Sequence, residues 1–238
     1  MGVFRVLATV LFVLSIPVAL VTSNIRFVAN EGRVYRYAID QFDGVRTTGI
    51  DRDQLLRAGD EIRDYFNNDE KTLSVRVSVA GREENLFSAR ETLHMQDVKS
   101  RLQAMNRAQE FSVAYALVYV VVVVLWAREV SLRGLAVNVA LGCVLCLGVL
   151  AAVGVLGVAG FDSAWEDFHR LIFSNDFWLL NPASDRLIQM FPPAFWESIV
   201  FFIGLMVVAQ AALLLLAAGI YLGASRHAEA RRLEAQYA

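Results

Sequence analysis

The chain has 238 residues, a formal net charge of -2, 56% hydrophobic and 19% charged residues, and a mean hydropathy of +0.46. That balance is too apolar for an ordinary soluble domain of this length. With 22 basic against 24 acidic residues and no basic cluster, the chain offers no electrostatic footprint for nucleic acid.

Four stretches lack Asp, Glu, Lys and Arg: Val6 to Ile25 (20 residues), Phe111 to Ala127 (17), Gly134 to Phe161 (28) and Ser198 to Ser225 (28). About 20 apolar residues cross a hydrocarbon core of roughly 30 Å as a helix. The pattern therefore predicts an α-helical integral membrane protein with four transmembrane helices and a small extracellular α/β cap. Residues 1–25 form the first transmembrane helix. It is read as a retained signal-anchor, because the run is long, holds Pro17 and has no small-x-small cleavage site beyond it.

Residues 26–92 are assigned to the cap. In "RVYRYAI" Tyr35, Tyr37 and Ile39 alternate with Arg36 and Ala38, and in "LSVRVSV" Leu73, Val75, Val77 and Val79 alternate with Ser74, Arg76 and Ser78. Period two with one apolar face predicts half-buried strands. Between them, Leu55, Ala58, Ile62, Tyr65 and Phe66 share one helical face, with Asp51 placed to cap it. Residues 93–127 form a long helix that starts near Thr92 or Leu93, puts His94 on its first turn and runs into the second apolar stretch.

Residues 128–133 (REVSLR) make a turn, 134–161 the third membrane helix, 162–197 an outward loop, 198–225 the fourth membrane helix and 226–238 a tail. Cys143 and Cys146, the only cysteines, lie mid-bilayer and read as small packing residues. The arginines of REVSLR and of the tail put both on the cytoplasmic side, with the N-terminus. The chain is thus N-in and C-in, with the cap and the 162–197 loop outside. None of the four runs carries a charge, which argues against an ion-coupled carrier.

Two of the three histidines, His94 and His169, fall on the outward side, each where a membrane helix meets the surface. Both have acidic neighbours, a pattern suited to general acid/base work near neutral pH. Asp97 follows His94 by one helical turn, where a carboxylate can fix the imidazole tautomer. The alternative is that Asp97 complements the positive end of its helix. Asn175 and Asp176 fit either a site or a turn. "NP" and "FPP" punctuate the loop and frame a short helix from about Ser184 to Met190. Its aromatics suit an interfacial belt or the wall of an acyl pocket. There is no HExxH and no GxSxG, so neither a metal nor another cofactor is assigned, nor a serine nucleophile.

The segments "HMQDV" (His94 to Val98) and "FHRLIFSNDFWLLNPASDRLIQMFP" (Phe168 to Pro192), with four membrane helices and a cap, resemble the lipoprotein intramolecular transacylase (Lit) family. The first segment is similar to a family pattern H-x-x-D-V. The second segment is similar to a family pattern F-H-x-x-F-F-x-N-D-x-W-x-L-x-P-x-x-D-x-L-I-x-M-F-P; Ile172 departs from it where an aromatic is usual, and Pro193, just after it, stands where an acidic residue is usual. The resemblance implies transfer of the sn-2 acyl chain of a diacylglyceryl-cysteine to the same cysteine's α-amine, giving lyso-form lipoprotein. It places catalysis on His94 and His169. Asp97 is expected to orient His94, Asn175 to donate to substrate or a loop carbonyl, Asp176 and Asp185 to hold the loop, and Phe173 and Trp178 to line the site. The partners implied are a diacylated lipoprotein N-terminus and membrane lipid. The residues alone leave two alternatives: a non-enzymatic cap that binds a partner, or a metal-dependent membrane hydrolase, which would bring Asp97, Asp176 or Asp185 together with both histidines.

Overall fold

The structure is a computed structural model that describes residues 2–126 and 129–237. In chain order it comprises α1 (Val3–Asn30), α2 (Gly32–Gln41), α3 (Gly44–Thr48), α4 (Arg52–Asn67), β1 (Arg76–Val79), β2 (Arg82–Asn85), α5 (Ala89–Trp126), α6 (Glu129–Ala159), α7 (Phe161–Ile172), α8 (Arg186–Met190) and α9 (Pro193–Tyr237). Among the described residues, α1, α5, α6 and α9 are long and apolar enough to cross a membrane. The contacts divide the chain into two compact units.

The first unit holds Met1–Asn24, Arg107–Gly154 and Gly204–Ala238. Phe12, Ile16, Cys143 and Ala211 form its buried centre, with Tyr115, Tyr119 and Val139 around it. Both cysteines are free thiols buried among helices. Gly142 lets α6 approach α1 closely, since a Cβ there would stand 2.6 Å from Ile16 and 3.0 Å from the Val13 carbonyl. Polar side chains pair with one another: Asn24 donates to Gln210 at 2.8 Å, and Gln210 donates back at 3.1 Å. Tyr119 shares its hydroxyl with Thr9 and Asn138. Leu7, Leu117, Val121, Leu141, Leu205 and Leu213 are exposed, as helix faces solvated by lipid would be.

The second unit holds Ile25–Asn106 and Val155–Ile203. The "RVYRYAI" segment, expected as a strand, is helix α2. Tyr35, Ala38 and Ile39 are buried at the i, i+3, i+4 spacing of a helix face, while Tyr37 is exposed. An alternating pattern over so few residues fits both periods. The packing of α2 on α4 decides it, and Gly59 of α4 sits against Tyr35, where an added Cβ would lie 3.0 Å away. Helix α4 buries Leu55, Ala58, Ile62 and Tyr65, with Asp51 at its N-cap position but no side-chain cap bond. Strand β1 lies within the second predicted strand and pairs antiparallel with β2. The two-residue turn, Ala80 and Gly81, has φ of 51° and 78°, as a type I′ hairpin requires. Between α1 and α5 the chain thus forms three helices and one hairpin.

Other boundaries move as well. Helix α5 starts at Ala89, so His94 lies on its second turn rather than its first. Its start is set by a capping box: the Ser88 N–H donates to Glu91 Oε2 at 2.7 Å, and the Glu91 N–H donates to Ser88 Oγ at 3.3 Å. Of the turn assigned to 128–133, Arg128 lies outside the described residues, and 129–133 already belong to α6. The 162–197 loop is largely helical, in α7, α8 and the start of α9. The tail from 226 continues α9 as far as Tyr237.

Candidate active site

Helix α5 supplies His94 and the last turn of α7 supplies His169. Their ring centroids are 6.0 Å apart. Phe173 packs against both, 5.3 Å from His94 and 5.6 Å from His169, and is itself buried. Trp165 packs edge-on to His169 at 4.7 Å, and Trp178 covers it at 5.2 Å. Trp196 stacks on Trp165 at 5.3 Å and extends this aromatic wall. Such a lining excludes water and strengthens electrostatic interactions at the site.

The two imidazoles are held differently. His169 Nδ1 lies 2.7 Å from the Trp165 carbonyl oxygen, four residues back along α7. A carbonyl only accepts, so Nδ1 carries the proton and Nε2 keeps a lone pair. Burial lowers the His169 pKa, and the Trp165 carbonyl opposes that shift. His94 is only 8% exposed, and its Nδ1 is buried with no hydrogen-bond partner. It precedes the apolar run at Phe111 by more than four turns. Burial above all, and then the charge of His169, push its pKa down to about 4, against the pull of Asp97. His94 is therefore neutral at pH 7.

Asp97 does not hold His94 Nδ1. Its carboxylate accepts from Asn175 Nδ2 at 2.8 Å, and Asn175 Oδ1 in turn accepts the Phe177 N–H at 3.0 Å. Asp97 acts on His94 through charge, and on the loop through Asn175. Asn175, expected to donate to substrate or to a loop carbonyl, donates here to this carboxylate. Asp176 is exposed, and its carbonyl accepts from Arg90 of α5. Asp185 Oδ2 accepts the Asn181 N–H at 2.6 Å, closing the turn before α8.

Glu91 was not singled out in the sequence. It is 1% exposed, and its second oxygen accepts the Leu187 N–H of α8 at 2.6 Å. Arg90, Glu91 and Asp97 thus tie the loop to α5 at three points around His94. The capping-box pattern S-x-x-E was visible from Ser88 to Glu91, but the tie to Leu187, 96 residues away, had no local signal. Among the described residues, no group of three or more His, Cys, Asp or Glu side chains could hold a metal ion. The carboxylates named for the hydrolase alternative do not converge on the histidines.

Residues 10–196 match the family model of the lipoprotein intramolecular transacylase Lit. The chain belongs to the Lit family. Lit from Bacillus cereus, solved in meso as an integral membrane protein, superposes with a TM-score of 0.73 at 19% identity, over 95% of this chain and 99% of that one. A structure of the same protein with one histidine replaced by arginine gives 0.74 at 19% identity, over 93% of each chain. One with a histidine replaced by alanine gives 0.73 at 19% identity, over 93% and 94%. These Lit structures share the fold. An uncharacterized protein of Aquifex aeolicus is 30% identical over 120 residues, so the chain spans about half the length of that curated relative. Lit proteins are acyltransferases, and this member is a multi-pass membrane protein.

Proposed function

We propose that this chain transfers the sn-2 acyl chain of a diacylglyceryl-modified N-terminal cysteine to that cysteine's α-amine, with the site on the extracellular face and both termini in the cytoplasm. The observation that carries this reading is the His94 and His169 pair, 6.0 Å apart within an aromatic wall, in a chain of this family.

Amine and ester belong to one substrate molecule, so much of the barrier is orientational, where a site can supply roughly 7–11 kcal/mol. His169 is the general base. Its Nε2 lone pair takes a proton from the α-amine as the nitrogen attacks the ester carbonyl carbon and the N–C bond forms. His94, kept neutral by burial, donates an N–H to the oxyanion of the tetrahedral intermediate, as a neutral imidazole does where its cation is disfavoured. The intermediate collapses with cleavage of the ester C–O bond. The proton held by His169 passes to the departing glyceryl oxygen, leaving an amide and a free hydroxyl. No acyl-enzyme is formed. The aromatics hold the acyl chain and keep water from competing for the ester.

Mass spectrometry of the N-terminal lipopeptide of a reporter lipoprotein tests this. Wild-type protein is expected to move one acyl chain onto the amine, and His94→Ala and His169→Ala are expected to leave the diacylglyceryl form. Full lyso-form production by either variant would falsify the two-histidine mechanism.

A further inference from the structure

Helix α7 has the spacing of an amphipathic helix. Phe161, Trp165, Phe168 and Ile172 recur every three or four residues, flanked by Ala164 and Leu171. Asp162, Ser163, Glu166, Asp167 and Arg170 hold the opposite face and are exposed. A surface helix of a folded domain turns its apolar stripe into the core. Helix α7 buries no residue, and on its apolar side Phe168 is 45% and Leu171 84% exposed. We propose that lipid acyl chains cover the Phe168 and Leu171 edge of α7, and, on the basis of the transacylase reading, that a diacylated substrate reaches His169 across this edge.

The lengths of the neighbouring helices select lipid as the cover. Arg133 donates to the Ser225 carbonyl at 2.8 Å, so the charge-free runs of α6 and α9 are level with each other at that end. Residues 134–159 of α6 rise about 39 Å and residues 198–225 of α9 about 42 Å. A hydrocarbon core is about 30 Å thick, so both helices stay apolar for about 10 Å beyond it toward the site. Such an excess tilts the helix or thickens the bilayer around it, and in either case lipid follows the apolar surface. Protein does not cover that surface, since Val155 is 70%, Phe201 48% and Phe202 46% exposed. Helix α7 joins the two ends. Phe161 is the last residue of the α6 run, and Trp165 stacks at 5.3 Å on Trp196, two residues before the α9 run begins. Both tryptophans stand where interfacial aromatics anchor a chain. The exposed apolar edge of α7 therefore continues the lipid-facing surfaces of α6 and α9.

Helix α5 offers the opposite surroundings. Its charge-free run has only 17 residues, and the exposed Arg101, Arg107 and Glu110 lie between that run and His94. Along the chain, His94 is thus reached past charged side chains and His169 past apolar ones. Phe168 is half-exposed and packs edge-on to the His169 ring at 5.4 Å, so one side chain separates the open apolar edge from the imidazole. The polar face of α7 sets three carboxylates, of Asp162, Glu166 and Asp167, against Arg170. An acidic face gains nothing from anionic headgroups, so apolar burial is what seats this helix.

The test uses full-length protein in phosphatidylcholine vesicles. Cys143 and Cys146 are buried, which leaves an introduced thiol as the site of spin labelling. Labels on Leu171→Cys and Val155→Cys are expected to be relaxed more by oxygen than by a water-soluble nickel chelate, and a label on Ser163→Cys, on the polar face, the reverse. Water-like accessibility at Leu171 overturns the proposal. For the route, Leu171→Glu is expected to raise KM roughly tenfold for a long-chain diacylated lipopeptide carried in the vesicles, while turnover of a short-chain, water-soluble analogue stays within about twofold of wild type. An unchanged KM, or equal losses on both substrates, overturns the route. If neither substrate is converted while the Leu171 label reports lipid, the transacylase reading fails and the lipid-covered edge stands.

Discussion

The helical unit and the site-bearing unit treat polar groups in opposite ways. In the first, polar side chains close on one another: the Asn24 and Gln210 amides exchange hydrogen bonds, and the Tyr119 hydroxyl meets Thr9 and Asn138. An unpaired polar group in a hydrocarbon environment is costly, so self-satisfaction is the condition of residing there. In the second unit, His94 Nδ1, Asn106 Oδ1 and Gln189 Oε1 are buried with no hydrogen-bond partner. Buried polar atoms without a partner are rare in folded proteins. Among the described residues, the contrast separates a unit whose polar side chains satisfy one another from one that leaves buried polar atoms unpaired.

The largest effect that sharpens this comparison is at His169. Loss of its Nε2 is expected to reduce kcat by about 10³-fold, within the range for removal of a general base. The assay is single-turnover conversion of a diacylated lipopeptide. His169→Asn is expected to be as damaging as His169→Ala, because an amide can occupy the space but cannot accept the ammonium proton.

Next comes pH. The His94 pKa falls to about 4 in the folded chain, from an ordinary value near 6.5 in the unfolded one. Between those values the unfolded chain binds the extra proton. Folding stability is therefore full above pH 6.5 and declines as pH drops toward 4, by at most about 3 kcal/mol. Thermal unfolding across that range checks this, and His94→Phe, which keeps a ring in the space, is expected to flatten the dependence. Activity follows the same sign. Both histidines titrate below their ordinary value, so their acidic limb lies under pH 6.5, while the substrate amine, near 8, sets the rise above neutrality.

Glu91 is expected to matter less than the histidines and more than any surface charge. Both of its partners, the Ser88 and Leu187 N–H groups, are donors, so a carboxylate satisfies both and an amide satisfies one. Glu91→Gln turns an NH₂ toward one of them and is expected to cost about 1–3 kcal/mol of stability. It should lower kcat more than it raises KM, because the loop that carries Trp178 over His169 is tied to α5 through this bond. Parallel losses of folded protein and of activity, with unchanged kinetics in what remains, would assign Glu91 a purely structural role.

Charge-free runs were enough to find the four long helices, because helix length against bilayer thickness is a one-dimensional criterion. His94 and His169 were legible as residue types in two motifs, although 75 positions separate them and only the fold brings them together. Asp97 illustrates what spacing alone conceals. One turn after a histidine predicts a partner for it, yet the carboxylate's bond goes to Asn175 across the loop, which no local pattern encodes. The α2 segment illustrates the opposite limit. Tyr35, Tyr37 and Ile39 alternate convincingly, but burial of Ala38 and exposure of Tyr37 come from tertiary packing against α4. Short segments with both periods are settled by their neighbours.

The smallest effect tests the self-satisfied half of the comparison. Gln210→Leu removes the partner of the Asn24 carbonyl oxygen, while the Asn24 amide keeps its bond to the Leu20 carbonyl at 2.7 Å. Interhelical side-chain bonds of this kind average about 0.6 kcal/mol in membranes and reach about 1–2 kcal/mol. A loss of about 1 kcal/mol in detergent-solubilised protein is therefore expected. Asn24→Leu combined with Gln210→Leu should recover most of it, because removing both partners leaves no orphaned group. A double variant no better than either single one would show that the amides serve something beyond each other.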